Sequence, residues 1–291
     1  MLRRTRIAVL VLSLAIVAVG CGDDDDEPGS SGTTAPSGEE ASCPDGGLPT
    51  KEEGQLQVAT GEPAFEPWVF DDDPTNGKGF ESAVTYAVAE ELGIEKDAVT
   101  WTRTGFDEAI APGAKDYDFN IQQFGITPER DEAVDFSDGY YTVEQAIIGR
   151  PDGPIADATS LEDLKGARIG AAIGSTSLDY IEEFIQPDTE ALVYDDNAAA
   201  KASFDANQVD GIVFDLPTAY FITSSEIPDS EIIGVLPQQG ETEELGLLFE
   251  TDSPLIPCVN EALATLKDNG TLADLEEEWL SQGGDIPALE K

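Results

Sequence analysis

The sequence predicts an α/β fold, and three observations carry that expectation. From Gln55 onward, short apolar runs alternate with segments whose apolar residues recur at helical spacing. Glycine, proline and Ser/Thr punctuate the joints between them. The chain closes on two amphipathic segments, each opened by a capping residue. About 240 residues follow the N-terminal region, enough for one two-lobed unit or two small domains with a sizeable core.

In order, Leu56 to Thr60 reads as a short apolar strand. Asp72 to Gly77 resembles a calcium loop only superficially, because Pro74 and Ala83 stand at ligand positions, and it reads as a hairpin tip. Phe80, Ala83, Val84, Ala87, Val88 and Leu92 fall on one helical face, which Gly93 ends. Ala98 to Thr102 predicts a strand, Phe106 to Pro112 the start of a helix, and Asp118 to Gln122 a further strand. A second block begins after Gly149-Arg-Pro-Asp-Gly-Pro154. There, a helix starts at Thr159-Ser160, Ala167 to Ile173 is a strand, and Gly174-Ser-Thr-Ser177 opens a helix. Ala191 to Tyr194, a helix from Asn197 and Val209 to Phe214 continue the alternation. A last strand, Leu245 to Phe249, leads into a helix capped at Ser253-Pro254 and a second capped at Thr271.

The N-terminus reads as an export signal: a basic Met1–Arg6, then an uncharged apolar core from Ile7 to Gly20, shorter than the roughly 20 residues of a membrane span. Ala18-Val-Gly-Cys21 resembles a bacterial lipobox, which implies cleavage before Cys21 and lipid on its sulfur. Residues 21–49 are acidic and poor in apolar bulk, so they read as a disordered tether. Formal charge is −45, and −48 once Arg3, Arg4 and Arg6 leave with the signal. Nucleic acid is therefore excluded as a partner, and membrane contact is expected through the lipid alone. With Cys21 lipidated, Cys43 and Cys258 either pair outside the cytoplasm or stay as two buried thiols.

Four points of chemistry fall at predicted strand ends. Phe119-Asn-Ile-Gln-Gln-Phe-Gly-Ile-Thr-Pro-Glu-Arg130 runs from a strand through a Gly turn to an arginine, whose rigid fork fits a carboxylate bidentately. Gly174-Ser175-Thr176-Ser177 sets free backbone N–H groups at a helix start, which favour an anion. Asp215 ends another strand as a lone carboxylate suited to an ammonium, although it also stands where it would cap the helix from Leu216-Pro217. Glu62-Pro-Ala-Phe-Glu-Pro-Trp68 adds aromatics. That inventory suits a free α-amino acid.

Across residues 54–282 the chain resembles the extracellular solute-binding proteins of polar amino-acid ABC importers. The likeness runs through Gly77-Lys-Gly-Phe-Glu81, Tyr117-Asp118, Ile126-Thr-Pro-Glu-Arg130, Val134-Asp-Phe-Ser-Asp-Gly-Tyr-Tyr141, Leu161-Glu-Asp-Leu-Lys-Gly166 and Asn269-Gly-Thr-Leu272. It implies a two-lobed periplasmic-binding-protein-like fold of type II with two hinge crossovers, near Ile148–Pro151 and Glu241–Gly246. Lobe 1 would then span 50–148 and 245–291, and lobe 2 would span 149–244. By the same resemblance Arg130 holds the ligand α-carboxylate, helped by backbone N–H groups at Gly125 and in the Ser175–Thr176 turn. Asp215 takes the α-ammonium with a carbonyl near Gln123. Phe65, Trp68 and Phe124 wall or roof the side-chain pocket with Phe106, and Glu62 and Gln122 tune specificity. The family often carries a hydroxyl residue where Gly125 stands, so one carboxylate hydrogen bond is expected to be missing.

The function expected is the ligand-binding subunit of an importer, a lipid-anchored monomer on the outer face of the membrane that delivers its ligand to a permease. Glu62 favours a basic or polar amino acid and opposes glutamate, unless Lys78 or Arg103 swings in. An ectoine-type solute held by aromatic faces is the second choice, and a ligand-sensing domain the third. An enzyme on the same scaffold, such as a cyclic-acid dehydratase, is disfavoured. With no histidine, Ser-His-Asp and Cys-His catalysis and His-ligated metals are excluded. No cofactor or metal is called for.

Overall fold

The computed structural model describes residues 42–44, 46–240, 242–280 and 286–291. The leader, Cys21 and the tether up to residue 41 lie outside the described residues, as does Glu241 of the second crossover.

The first half is built from β1 (Leu56–Gly61), α1 (Phe80–Glu91), β2 (Val99–Thr104), α2 (Phe106–Ile110), β3 (Phe119–Asn120) and β4 (Asp135–Phe136). Phe80, Val84 and Val88 of α1 repeat every four residues and are buried, which seats the helix on the sheet. Gly79 is required just before it: its φ is 97°, and a Cβ there would come within 2.4 Å of the Trp68 carbonyl oxygen. The stretch at 70–76 is not a hairpin tip. It forms two 3-10 turns, Phe70–Asp72 and Pro74–Asn76, the second capped by the Asp73 side chain.

After β5 (Tyr141–Thr142) the chain enters the second half through β6 (Gln145–Gly149), a strand that the sequence reading did not predict and that the expected lobe 1, 50–148, largely contains. There follow β7 (Ile169–Ala172), α3 (Thr176–Tyr180), β8 (Leu192–Tyr194), α4 (Asn197–Asp205), β9 (Gly211–Asp215), α5 (Leu216–Phe221) and β10 (Glu231–Val235). Thr159-Ser160 opens only a 3-10 turn, Glu162–Leu164, because Asp163 turns back to accept hydrogen bonds from both of those residues. The expected strand 245–249 divides into β11 (Glu244–Leu245) and β12 (Leu248–Phe249), which join different sheets. The chain then forms α6 (Ile256–Asp268) and α7 (Thr271–Trp279). α6 is preceded by Leu255 rather than capped at Ser253, and Thr271 is the first residue of α7, with Gly270 at φ 85° in the capping place.

Two five-stranded sheets result, ordered β2-β1-β3-β12-β4 and β10-β6-β9-β7-β8. In the first, β1 is parallel to β2 and β3; in the second, β7 is parallel to β8 and β9. Chain order therefore reverses between β1 and β3 and again between β7 and β9. Such switch points open a crevice at the carboxyl ends of the strands. A ribbon of β5 paired with β11 joins the sheets. The first crossover is therefore at Tyr141–Glu144 rather than Ile148–Pro151, since β6 is already paired within the second sheet.

One apolar core lies under the first sheet between α1, α6 and α7, and two smaller ones cover the faces of the second. The chain end departs from the expected lobe assignment. Ala288 pairs with Val235, Glu290 pairs with Ser160, and Leu289 is buried in the second-half core. The last residues thus strap the second lobe. Cys43 and Cys258 form a disulfide, Leu48 packs on the first core, and Cys43 N–H donates to Glu261. Cys43 and Leu48 are in this way tied down, which shortens the expected tether.

Candidate functional site

Both switch points face one cavity of about 160 Å³. The loop after β1 contributes Gly61, Glu62 and Phe65; the segment after β3 contributes Gln122 and Gln123; the turn after β7 contributes Ala172, Ser175 and Thr176; and the end of β9 contributes Asp215. Phe106 and Arg130 complete the set that the sequence singles out.

Arg130 is only 6% exposed, so its charge is desolvated and its pKa is lowered by burial, although Asp179 and Glu243 nearby oppose that. The Thr127 hydroxyl oxygen accepts its N–H at 3.2 Å, and its guanidinium lies 5.4 Å over the Phe106 ring. The fork donates to two backbone carbonyls, Nη1 to Gly125 at 2.6 Å and Nη2 to Gly174 at 2.8 Å. The second bond crosses from the first lobe to the second. Gly125 therefore supports Arg130 through its carbonyl and is not itself among the residues lining the cavity.

Asp215 accepts the N–H of Thr218 at 2.8 Å and so caps α5; it lines the cavity as well. Burial pushes its carboxyl up to about 6, with the Glu243 charge adding to the effect and the Thr218 hydrogen bonds opposing it. Ser175 caps α3 and donates to the Ala172 carbonyl, which commits its hydroxyl to the turn. Thr176 donates to Glu243 Oε1 at 2.6 Å. Gln122 carries a buried Oε1 with no hydrogen-bond partner, an acceptor open to a donor from within the cavity.

Two expected pocket aromatics lie elsewhere. Trp68 is fully buried against Phe80 and Tyr141 and donates its ring N–H to Thr218 Oγ1 at 2.8 Å, so it ties the first core to the start of α5. Phe124 is fully buried beneath Phe106, with ring centroids 4.9 Å apart. An aromatic far from the cavity surface packs better in the core than in a wet wall. Neither borrowed cation reaches the pocket. Arg103 is bound to the Gly61 carbonyl and to Asp72, and Lys78 is exposed and outside the lining.

Sequence reasoning missed three contributors. Glu81, fully buried, accepts from Gln123 N at 2.7 Å, from Gln123 Nε2, and from Tyr140 OH at 2.5 Å. It thereby holds Gln123 at φ 49°, a left-handed conformation unusual for glutamine. Burial pushes its carboxyl up to about 7 against those hydrogen bonds. Its signal was present: an acid on the same α1 face as Val84 and Val88 must be buried. Gln145 donates to Glu243 Oε2 at 3.0 Å and accepts from Ser177 Oγ at 2.6 Å. Glu243 itself had no local signal, because only the β5–β11 pairing turns it inward. The lining carries five acids, Glu62, Asp195, Asp196, Asp215 and Glu243, against one cation, Arg130.

A family model described as bacterial extracellular solute-binding proteins, family 3, matches residues 56–282. The arginine-binding extracellular protein ArtP of Bacillus subtilis (strain 168) is 28% identical over 240 residues, covering 79% of this chain and 88% of the relative. The L-cystine-binding protein TcyJ of Escherichia coli (strain K12) is also 28% identical, over 241 residues, covering 81% and 85%. Among solved structures, an ancestral arginine-binding protein bound to arginine superposes with a TM-score of 0.66 at 30% identity, covering 79% of this chain and 99% of that one.

Proposed function

Because the chain belongs to the bacterial extracellular solute-binding proteins of family 3, we propose that it is the ligand-binding subunit of an ABC importer and captures a free amino acid with a cationic or polar side chain. One observation carries the reading: a single buried arginine and a cavity-lining aspartate share a small crevice whose other charged walls are all acidic. Arg130 takes the α-carboxylate and Asp215 the α-ammonium. Opposite charges, each desolvated, recognise a zwitterion more strongly than either does in water. The acidic remainder favours a ligand whose net charge is positive and disfavours glutamate, which brings a second carboxylate to a lining with no second cation. Phe65 and Phe106 supply apolar and ring-face contact to the side chain. The free Gln122 Oε1 accepts from an amide or guanidinium. Among relatives, the B. subtilis arginine-binding protein supports the cationic choice and the cystine-binding protein supports a polar one.

The ribbon of β5 and β11 forms the two crossovers, and closure about it brings Arg130 to the Gly174 turn. Closure excludes water and creates the form that a permease recognises. In this reading the chain is exported, anchored by lipid on Cys21 at the outer face of the membrane, monomeric and non-catalytic.

The test is isothermal titration of the folded part with the twenty amino acids and an ectoine. Heat with arginine, lysine or another polar amino acid supports the reading. Heat with ectoine alone moves the ligand to a compatible solute, and silence with all of them sinks amino-acid capture.

A further inference from the structure

Resting on the amino-acid reading of the cavity, we infer that Glu243 is an internal occupant of the carboxylate end of that cavity, displaced when a ligand carboxylate enters, and that Gly125 is the residue that makes room for it.

Two hydrogen bonds and the missing side chain of residue 125 converge on one spot. Glu243 Oε1 accepts the Thr176 hydroxyl at 2.6 Å, on the turn given to the ligand carboxylate. Glu243 Oε2 accepts from Gln145 Nε2 at 3.0 Å, and Gln145 is itself fixed by Ser177, so the carboxylate is gripped from the second lobe on both oxygens. A Cβ built on Gly125 would stand 2.8 Å from Glu243 Oε1, 3.1 Å from Thr176 Cγ2 and 3.4 Å from Arg130 Nη1. Arginine, threonine and the return segment therefore meet where residue 125 would project a side chain. Gly125 is not among the glycines with positive φ, so its backbone does not require glycine there. What a side chain would meet is the Glu243 carboxylate.

Electrostatics agree with this placement. The Glu243 charge acts on both Arg130 and Asp215, so it stands within electrostatic reach of both poles. A ligand carboxylate arriving at Thr176 and Arg130 faces a like charge already hydrogen-bonded there. Two like charges side by side in a desolvated pocket repel strongly, so the ligand must turn Glu243 away. The affinity measured is then the intrinsic affinity reduced by the fraction of molecules in which Glu243 has left. A chain with a hydroxyl side chain at 125 would lack this competitor and would offer the ligand one more donor.

The test is titration of arginine, lysine and glutamine into wild type, Glu243→Gln, Gly125→Ser and the double variant, with the melting temperature of each unliganded form confirming that it folds. Glutamine at 243 keeps the size and an acceptor for Thr176 but removes the charge, and binding should tighten about tenfold, or ~1.4 kcal/mol. Gly125→Ser pushes the carboxylate aside and should tighten binding in the same direction. The double variant should gain less than the product of the two, since both remove one competitor. Unchanged or weaker binding in Glu243→Gln overturns the inference while leaving amino-acid capture standing, because Glu243 would then assist the ligand's cation. A wild type that binds nothing beside a Glu243→Gln variant that binds supports both. Silence in all four forms overturns the amino-acid reading and this inference together.

Discussion

Arg130 and Asp215 are the two charged poles of one crevice, yet the fold holds them in opposite ways. Arg130 is buried, and two of its five guanidinium donors are held by backbone carbonyls, one from each lobe. Its charge survives burial because a guanidinium titrates far above any working pH. Asp215 sits at the start of α5 with the Thr218 N–H as partner, and burial lifts its carboxyl to about 6. One pole is thus a fixed charge that also spans the lobes, and the other is a charge that pH can remove. The difference is that of a structural latch and a titratable sensor. It teaches that two opposite charges sharing one crevice need not respond alike to solution conditions.

Replacing Arg130 with alanine breaks the comparison most severely. Amino-acid binding should fall by roughly a hundredfold or more, about 3 kcal/mol, as expected for truncating one partner of a buried charge pair. Titration calorimetry reads the loss, and Arg130→Lys should recover little because an ammonium cannot reproduce the fork. Micromolar binding retained in Arg130→Ala would remove Arg130 from the carboxylate role.

Behind the pole at Asp215, Glu81 sharpens the contrast through stability. Its folded carboxyl stands near 7 against an ordinary 4.5, so the folded protein holds that proton more tightly than the unfolded chain. The stability it gives is fully present below about pH 4.5 and is lost as pH rises through about 7, a change of roughly 3 kcal/mol at most. Asp215 adds the same sign between its ordinary 3.8 and about 6. Thermal melting across that range should therefore show a downward contribution with rising pH that Glu81→Gln removes. An identical slope in the variant would reject the assignment.

Asp215 itself is predicted to matter less than Arg130. Asp215→Asn should weaken binding roughly tenfold, ~1.5 kcal/mol, at the lower end of charged hydrogen bonds, because the helix cap it also makes survives the change. Wild-type affinity should drop as pH falls through about 6 and stay level in the variant. A flat wild-type profile would separate Asp215 from the ammonium. The smallest effect belongs to Glu62, which is exposed at the rim of the cavity. Glu62→Gln should cost arginine about threefold in affinity, the scale of exposed ion pairs, and leave glutamine unchanged. Equal effects on both ligands would strip Glu62 of a selective role.

Much of this was legible in the chain. Apolar periodicity located α1 and β1, and the strand-end positions of Arg130, Asp215, Thr176 and Gln123 brought those residues to one cavity. Element ends were less legible. Ser253 and Thr271 are good capping types, but α6 starts after Leu255 and α7 after Gly270, because packing on the first core fixes where each helix begins. Trp68 and Phe124 illustrate a second limit: an aromatic near a motif looks the same in sequence whether it faces ligand or core.

The sequence by itself determined the alternation of strands and helices, the acidic surface and the choice of a single arginine near a carboxylate, because these follow from local propensity, spacing and charge. Tertiary structure alone decided three matters. The β5–β11 pairing turned Glu243 inward, the final residues strapped the second lobe, and Glu81 reached from α1 to hold Gln123. Each joins residues far apart in the chain, and no local preference can specify a contact whose partner lies dozens of residues or more away.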